Sequence, residues 1–372
     1  MITYLSIFIY LTTISLCEIK LSDRTKKFYF ILLFIFMLLF ISARHYVGGD
    51  YISYLNLFDY FDYQELNSPN QVNPFLTADG YTSSGFFYIM AIIHKLNLNY
   101  FSLNLICALI YLTGIFKFLK ISNERLFVFI LLIPTMIYVV GMGYTRQSVS
   151  IGFLCFAIYY WTKNSNIKKF IFFILSIYMH IASIIFIFLF FFKSYEKIKF
   201  TKNLIIGILF ISLLLLFYTQ TFDSLDDFSS ALQLDDKIVE NSRFKYLKFL
   251  AHLVPCIIFI VFLKEFKKDK RLYPLYFCFF VSTITVIIGM NIFKQILAES
   301  SYIEVIADRI LLPFLLIESL IFVRLCSVIN FEFKFLFKFL ILFYFGLMLF
   351  IWLEFAANSH AWKPYRSILL EW

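Results

Sequence analysis

Charge is what this chain has least of: 15% of its 372 residues are Asp, Glu, Lys or Arg, against 61% hydrophobic. So few polar side chains cannot clothe a water-soluble globule of this length, and lipid is the expected solvent. Without water, every backbone N–H and C=O must be bonded internally, which leaves a helix bundle or a closed β-barrel. Barrel strands would alternate polar and apolar residues over about ten positions, and no stretch does so. Glycine and proline are also scarce, at 11 and 7 residues. Linkers rich in Pro, Gly and Ser, internal repeats and low-complexity tracts are absent, so one transmembrane domain over residues 1–372 is expected. No Gly-rich nucleotide loop, HExxH, nucleophile elbow or inner-loop DxD pair occurs, which argues against cytoplasmic nucleotide-sugar chemistry. The six cysteines (Cys17, Cys107, Cys155, Cys256, Cys278, Cys326) fall in apolar runs without CxxC spacing. They read as small buried hydrophobes; no metal and no cofactor is expected. The opening segment lacks a basic n-region and a small-x-small site, so it reads as a retained span.

What is present is a series of apolar runs long enough for a hydrocarbon layer of about 30 Å. Ten lie near residues 2–17, 28–43, 101–116, 126–141, 146–161, 203–218, 246–263, 274–293, 309–323 and 335–353. Two more, 84–94 and 170–192, are irregular. The expected fold is an all-α bundle of about 10–12 transmembrane helices with re-entrant or interfacial segments.

The net charge of +9 sits in short loops between these runs, a pattern that orients a membrane protein and does not call for nucleic acid. Lys20, Arg24, Lys26 and Lys27 put the first loop inside; Lys264, Lys267, Lys268, Lys270, Arg271, Arg324, Lys334 and Lys338 mark later inner loops. Two extracytoplasmic loops follow, 44–84 with an interfacial helix and 219–245. Keeping Lys117 to Arg125, Lys163 to Lys169 and Lys193 to Lys202 all inside requires that 84–94 not cross and that 170–192 re-enter, turning near His180. Each half of that turn has about eleven residues, or ~16 Å of helix.

Several polar residues stand out against this background. Thr145 can cap a helix on which Arg146 and Gln147 follow. A guanidinium at a helix N-terminus makes an anion site suited to phosphate or pyrophosphate, and the bland alternative is an arginine snorkelling to headgroups. Asp308-Arg309 repeats the pattern, with a local ion pair to Asp308 or Glu304 as its bland counterpart. In Arg44-His45-Tyr46-Val47-Gly48-Gly49-Asp50, the glycines mark a turn, and Tyr51, Tyr54, Leu55 and Phe58 share one helical face. Asp50 is either an N-cap or a carboxylate able to take a proton from an acceptor hydroxyl. His180 reads as the one histidine deep inside an apolar run, hence a candidate acid or base. Trp362 and Tyr365 are expected at the outer interface, as belt residues or as surfaces on which sugars stack.

Taken in order, Arg44 to Tyr54 (R-x-x-V-G-x-D-Y-x-x-Y), Thr145-Arg146-Gln147, Met179-His180-Ile181-Ala182-Ser183, Ala307-Asp308-Arg309-Ile310 and Trp362-Lys363-Pro364-Tyr365 resemble the EpsG-like branch of the Wzy-type polysaccharide polymerases. One departure is Ser84 before Gly85-Phe86, where the resemblance leads one to expect an acid; either Asp79 substitutes for it or that acid is dispensable. The resemblance implies a GT-C-like fold and an inverting, metal-independent glycosyltransferase in the bacterial cytoplasmic membrane, its active site facing outward. Its substrates would be undecaprenyl-pyrophosphate-linked oligosaccharides of O-antigen, capsule or exopolysaccharide biosynthesis, with a chain-length regulator and a flippase as partners beside the lipid bilayer. Asp50 and His180 are then the candidate catalytic bases. Arg44, Tyr54, Arg146, Gln147, Arg309, Trp362 and Tyr365 would bind pyrophosphate or sugar, with Arg146 and Arg309 sharing one pocket. A lipid-linked oligosaccharide flippase, an O-antigen ligase and, last, a membrane acyltransferase are the rival readings.

Overall fold

The computed structural model describes residues 1–17, 22–59, 84–190, 192, 207–208, 245–297 and 309–369. Among them every regular element is helical, and the extended pairing is one bridge between Arg44 and Ser367. Among the described residues, five helices are long and apolar enough to cross a membrane: Asp23–Ser42, Tyr100–Ile121, Arg125–Gly143, Arg309–Val328 and Glu332–Phe355. Shorter apolar helices accompany them at Ile2–Leu16, Gly85–Lys95, Ile181–Phe190, Ala251–Val261 and Tyr273–Gly289. The protein is an all-α polytopic membrane protein. The run 203–218, the loop 219–245 and residues 60–83, with Asp79, lie outside the described residues or almost wholly so, as does Asp308.

The chain forms two compact units. The first comprises Met1–Tyr159, Lys169–Ile181 and Phe335–Trp372; the second, Tyr160–Lys168 and Ala182–Lys334. Helices are numbered α1 (Ile2–Leu16), α2 (Asp23–Ser42), α3 (Tyr51–Asp59), α4 (Ser84–Lys95), α5 (Tyr100–Phe118), α6 (Arg125–Leu132), α7 (Thr145–Thr162), α8 (Asn166–Met179), α9 (Lys245–Val261), α10 (Leu263–Lys268), α11 (Tyr273–Leu297), α12 (Leu315–Val328) and α13 (Phe331–Phe355).

Local chemistry sets where the first unit's helices begin and how closely they pack. Ser22 caps α2 by accepting the Thr25 N–H at 3.1 Å, and Asn99 caps α5 by accepting that of Ser102 at 3.1 Å. Gly114 of α5 and Gly152 of α7 let two backbones touch: a Cβ on Gly114 would come within 2.1 Å of the Gly152 carbonyl oxygen. In lipid, where no hydrophobic force drives helices together, such small-residue contacts give dispersion its range. The span Arg125–Gly143 is 89% buried and lies inside, whereas Asp23–Ser42 and Glu332–Phe355, each 28% buried, turn Phe28, Ile31, Phe335 and Phe343 outward.

Pro134 has no N–H for the ladder of α6, and there the helix widens into a π-helical stretch, Ile133–Val140. Side chains reach carbonyls of that wide turn. The Tyr111 hydroxyl donates to Met136 O at 2.6 Å, and the Trp362 indole donates to Tyr138 O at 2.8 Å.

Contacts between helix ends fix the direction of each span. Arg44, just past α2, bonds Asn104 near the start of α5 at 3.1 Å, and Tyr100 OH donates to Tyr51 O at 3.3 Å. Arg44 and Tyr51 thus stand at the same end of this unit as the start of α5, and α4 packs beside α3, the His94 ring bonding the Phe58 carbonyl at 3.0 Å. At the opposite end of this unit, Glu124 before α6 pairs with Lys338 of α13 at 2.9 Å. The segment 170–192 follows an out-and-back path. Ser150 of α7 donates to Ser176 O at 2.7 Å and Ser176 to Ser150 O at 2.8 Å; the helix then breaks at His180. By Phe192 the chain is back beside Trp161, whose indole donates to the Phe192 carbonyl at 2.9 Å.

The second unit packs α9 against α11 and α12, with Phe259, Phe277 and Ile317 fully buried. Arg324 of α12 donates to Glu265 O of α10 at 3.0 Å, holding two basic segments together. Two findings correct the sequence reading. His180 is not the one histidine within an apolar run: His252 of α9 is 6% exposed and its Nδ1 meets a carboxylate oxygen of Glu318, itself 3% exposed. Cys17 is exposed at the end of α1, whereas the other five cysteines are buried and all six are free thiols.

Candidate functional site

The first unit's polar centre forms where α2, α3, α5, α6 and α7 end or begin. Gly48 has a backbone φ of +110°, a conformation that favours glycine, and a Cβ there would strike Met142 O at 2.1 Å. That close approach brings the loop after α2 onto the end of the α6 span. The Asp50 N–H then donates to Gly143 O at 3.2 Å, and the Asp50 carbonyl accepts the Tyr54 N–H at 3.0 Å as α3 starts. Asp50 is half-buried and occupies the N-cap position.

Arg44 lies inside the protein, 2% exposed. Its Nη1 donates to Ile41 O at 2.7 Å; its Nη2 donates to Asn104 Oδ1 and Thr145 Oγ1, both at 3.1 Å. The guanidinium also faces the Tyr51 ring, 5.9 Å from its centroid. Burial lowers its pKa from the ordinary value, partly offset by the phenols of Tyr100 and Tyr51. An arginine so placed remains a cation. Arg44 thus ties three helix ends together and presents no face to a ligand.

Thr145 is not the N-cap that its sequence suggested. Tyr144 precedes α7, its carbonyl accepting the Ser148 N–H at 2.8 Å, while Thr145 occupies the first helical turn and spends its hydroxyl on Arg44. The next residue, Arg146, is half-buried; its Nε donates to the Tyr54 hydroxyl and its guanidinium stands 5.5 Å from the Tyr54 ring centroid. Gln147 beside it is 4% exposed. One turn along α7, Ser150 reaches the His180 carbonyl at 3.4 Å, so His180 stands one turn from Arg146 along the helix axis.

The C-terminal segment enters the same end. His45 N–H donates to Arg366 O at 3.1 Å, Gly48 N–H to Ala361 O at 2.8 Å, and Ile368 N–H to Ala43 O at 2.9 Å. Trp362 is 1% exposed, and a Cβ on Gly143 would meet its ring at 2.2 Å. The Tyr4 hydroxyl donates to the Trp362 carbonyl at 2.8 Å. The indole is therefore a wedge enclosed by protein. Tyr365 stacks on Phe40, centroids 4.4 Å apart, and donates to the Phe40 carbonyl at 2.9 Å.

The structure thus brings together Arg44, Asp50, Tyr54, Arg146, Gln147, His180, Trp362 and Tyr365 within one unit. Arg309 belongs to the second unit, where it is half-buried. Sequence reasoning missed Asn104, Tyr138 and the packing at Gly143. Asn104 was open to discovery as a lone amide in the apolar run 101–116; the carbonyl role of Tyr138 and the close approach at Gly143 have no signature in one dimension. Among the described residues, no cluster of three or more His, Cys, Asp or Glu side chains is arranged to hold a metal.

A half-buried arginine on a tyrosine thus stands beside a buried polar strut at one end of a bundle of apolar helices, in a polytopic membrane protein. The family model of the EpsG family matches residues 27–367. The chain belongs to the EpsG family, and with membership comes the general function of a membrane polysaccharide polymerase. No curated protein and no solved structure matches it.

Proposed function

We propose that this protein joins undecaprenyl-pyrophosphate-linked oligosaccharide repeat units at the outer face of the bacterial cytoplasmic membrane. The observation that carries the reading is Arg146. It sits in the first turn of α7, half-buried, its guanidinium oriented by the Tyr54 hydroxyl and ring. Helix N-terminal dipole and guanidinium point the same sign of potential at a diphosphate.

In the proposed reaction an acceptor hydroxyl on one lipid-linked unit attacks the anomeric carbon of the growing glycan. The anomeric C–O bond to pyrophosphate breaks, undecaprenyl pyrophosphate leaves, and the hydroxyl proton passes to a base. Guanidinium donors aimed at charge developing on the leaving diphosphate stabilise such a transition state strongly. Asp50 is the preferred base, because its N–H is bonded to Gly143 and its helix carries the tyrosine that holds Arg146. His180, one turn along α7, is the second candidate. An inverting, metal-independent course follows from the resemblance noted in the sequence. Arg309 as a further pyrophosphate ligand rests on the sequence pattern alone.

Deletion and complementation test the function. Loss of a polymerase leaves single repeat units on the final acceptor; loss of a flippase leaves none at the surface; loss of a ligase leaves full-length chains on the carrier lipid. The first outcome is expected here, and either of the others overturns the reading.

A further inference from the structure

The two aromatic residues expected to stack on sugar, Trp362 and Tyr365, have their rings engaged within the protein: the Trp362 ring is enclosed by protein and the Tyr365 ring lies on Phe40. A different ring is exposed at the same end. Tyr46 is 51% exposed, within two residues of the buried Arg44 and Gly48. Its backbone φ is +51°, in the left-handed region, which is uncommon for a bulky side chain and disfavoured by contact between Cβ and the backbone. Such a conformation persists where the surroundings over-determine it. Here they do. Arg44 before it is fixed by three hydrogen bonds, the His45 N–H is bonded to Arg366 O, and Gly48 after it is locked against Ala361.

The strained backbone delivers the ring to a defined place. The Tyr46 ring lies 4.4 Å from the His45 ring and 5.5 Å from the Tyr51 ring, tilted to each. Tyr51 and Tyr54 stand three residues apart on one face of α3, and Tyr54 is the partner of Arg146. An exposed, supported aromatic ring thereby stands against Tyr51, one helical turn of α3 from the tyrosine that holds the proposed pyrophosphate ligand. A pyranose attached to that pyrophosphate has an apolar C–H face of matching size, and its hydroxyls remain in water when it lies on such a ring.

We infer that Tyr46 is the platform for a sugar ring of the lipid-linked oligosaccharide. The inference rests on the functional reading above, since it takes Arg146 as the diphosphate site. Binding to the purified protein in nanodiscs tests it with two probes: undecaprenyl pyrophosphate, and the lipid-linked oligosaccharide extracted from a strain lacking this protein. Tyr46→Gly removes the ring and suits the positive φ; Tyr46→Asn, also tolerant of that conformation, is the second variant. Both are expected to accumulate as well as the parent and to bind bare undecaprenyl pyrophosphate equally. Both should weaken the glycosylated lipid three- to tenfold, and Tyr46→Phe should keep its affinity. Equal affinity of parent and Tyr46→Gly for the glycosylated lipid overturns the platform, as does an equal loss for both probes. Failure of the functional reading is separate: it shows as undiminished binding of bare undecaprenyl pyrophosphate to Arg146→Ala.

Discussion

Arg44 donates through Nη2 to the hydroxyl of Thr145 at 3.1 Å, and that bond joins the end of one span to the start of another 101 residues later. The same nitrogen reaches Asn104, so one buried guanidinium sets the position from which Arg146 projects. On the proposed function, Arg44 would act through its neighbour, as a positioning residue.

From this relationship, Arg44→Lys should keep the protein in the membrane yet shorten the glycan, because an ammonium cannot bridge Ile41 O, Asn104 and Thr145 with a planar fork. Arg44→Ala should also lower stability by about 3 kcal/mol, since it strands buried acceptors. Thermal unfolding in detergent and the length distribution of surface polysaccharide report the two effects separately. Parent-like glycan in Arg44→Lys would remove the positioning role.

Arg146→Ala should abolish chain lengthening while the protein accumulates normally, and Arg146→Lys should rescue it poorly. Arg309→Ala is expected to do the same. A ladder of normal length from either alanine variant takes that arginine out of the reaction.

If Asp50 is the base, Asp50→Asn should reduce kcat/KM by about 10²–10⁴-fold, with His180→Gln within tenfold of the parent. The reverse ranking transfers the role to His180. Steady-state assays on extracted lipid-linked substrate distinguish the two.

At Gly143 the space for a side chain is already filled by the Trp362 ring. Gly143→Ala should therefore reduce accumulation sharply, and a smaller residue at position 362 should recover part of the loss. Trp362→Leu combined with Gly143→Ala is expected to be more stable than the sum of the single effects, by about 1 kcal/mol or more. Strict additivity of the unfolding free energies would contradict the wedge.

Opposite the site, Glu124→Gln removes the carboxylate facing Lys338, whose side chain is 9% exposed. Because Glu124 itself is 24% exposed, the loss should be about 2 kcal/mol, below that of a fully buried pair. Melting curves of the two proteins at equal salt measure it.

Spans were legible in the sequence because hydropathy over about twenty residues is a one-dimensional property, and α2, α5, α7 and α13 lie where apolar runs do. Short ordered motifs located Arg146, Asp50 and His180, but not what each side chain touches. Thr145 looked like a cap and proved to be an acceptor for Arg44, because the hydroxyl's partner comes from 101 residues away. Trp362 looked like a belt residue for the same reason: only the packed structure shows the slot above Gly143 and the open carbonyl of Tyr138. His252 and Glu318, each inconspicuous in its own apolar run, become notable as a pair.

The threading of residues 359–368 between the loop after α2 and the start of α7 bears on the order of biosynthesis. Most spans can enter the bilayer as they leave the ribosome, yet Gly143 and Tyr138 receive the indole only after α13 and the residues that follow it have been made. A nascent chain stalled before that moment therefore lacks the indole that fills the slot between Gly143 and Tyr138.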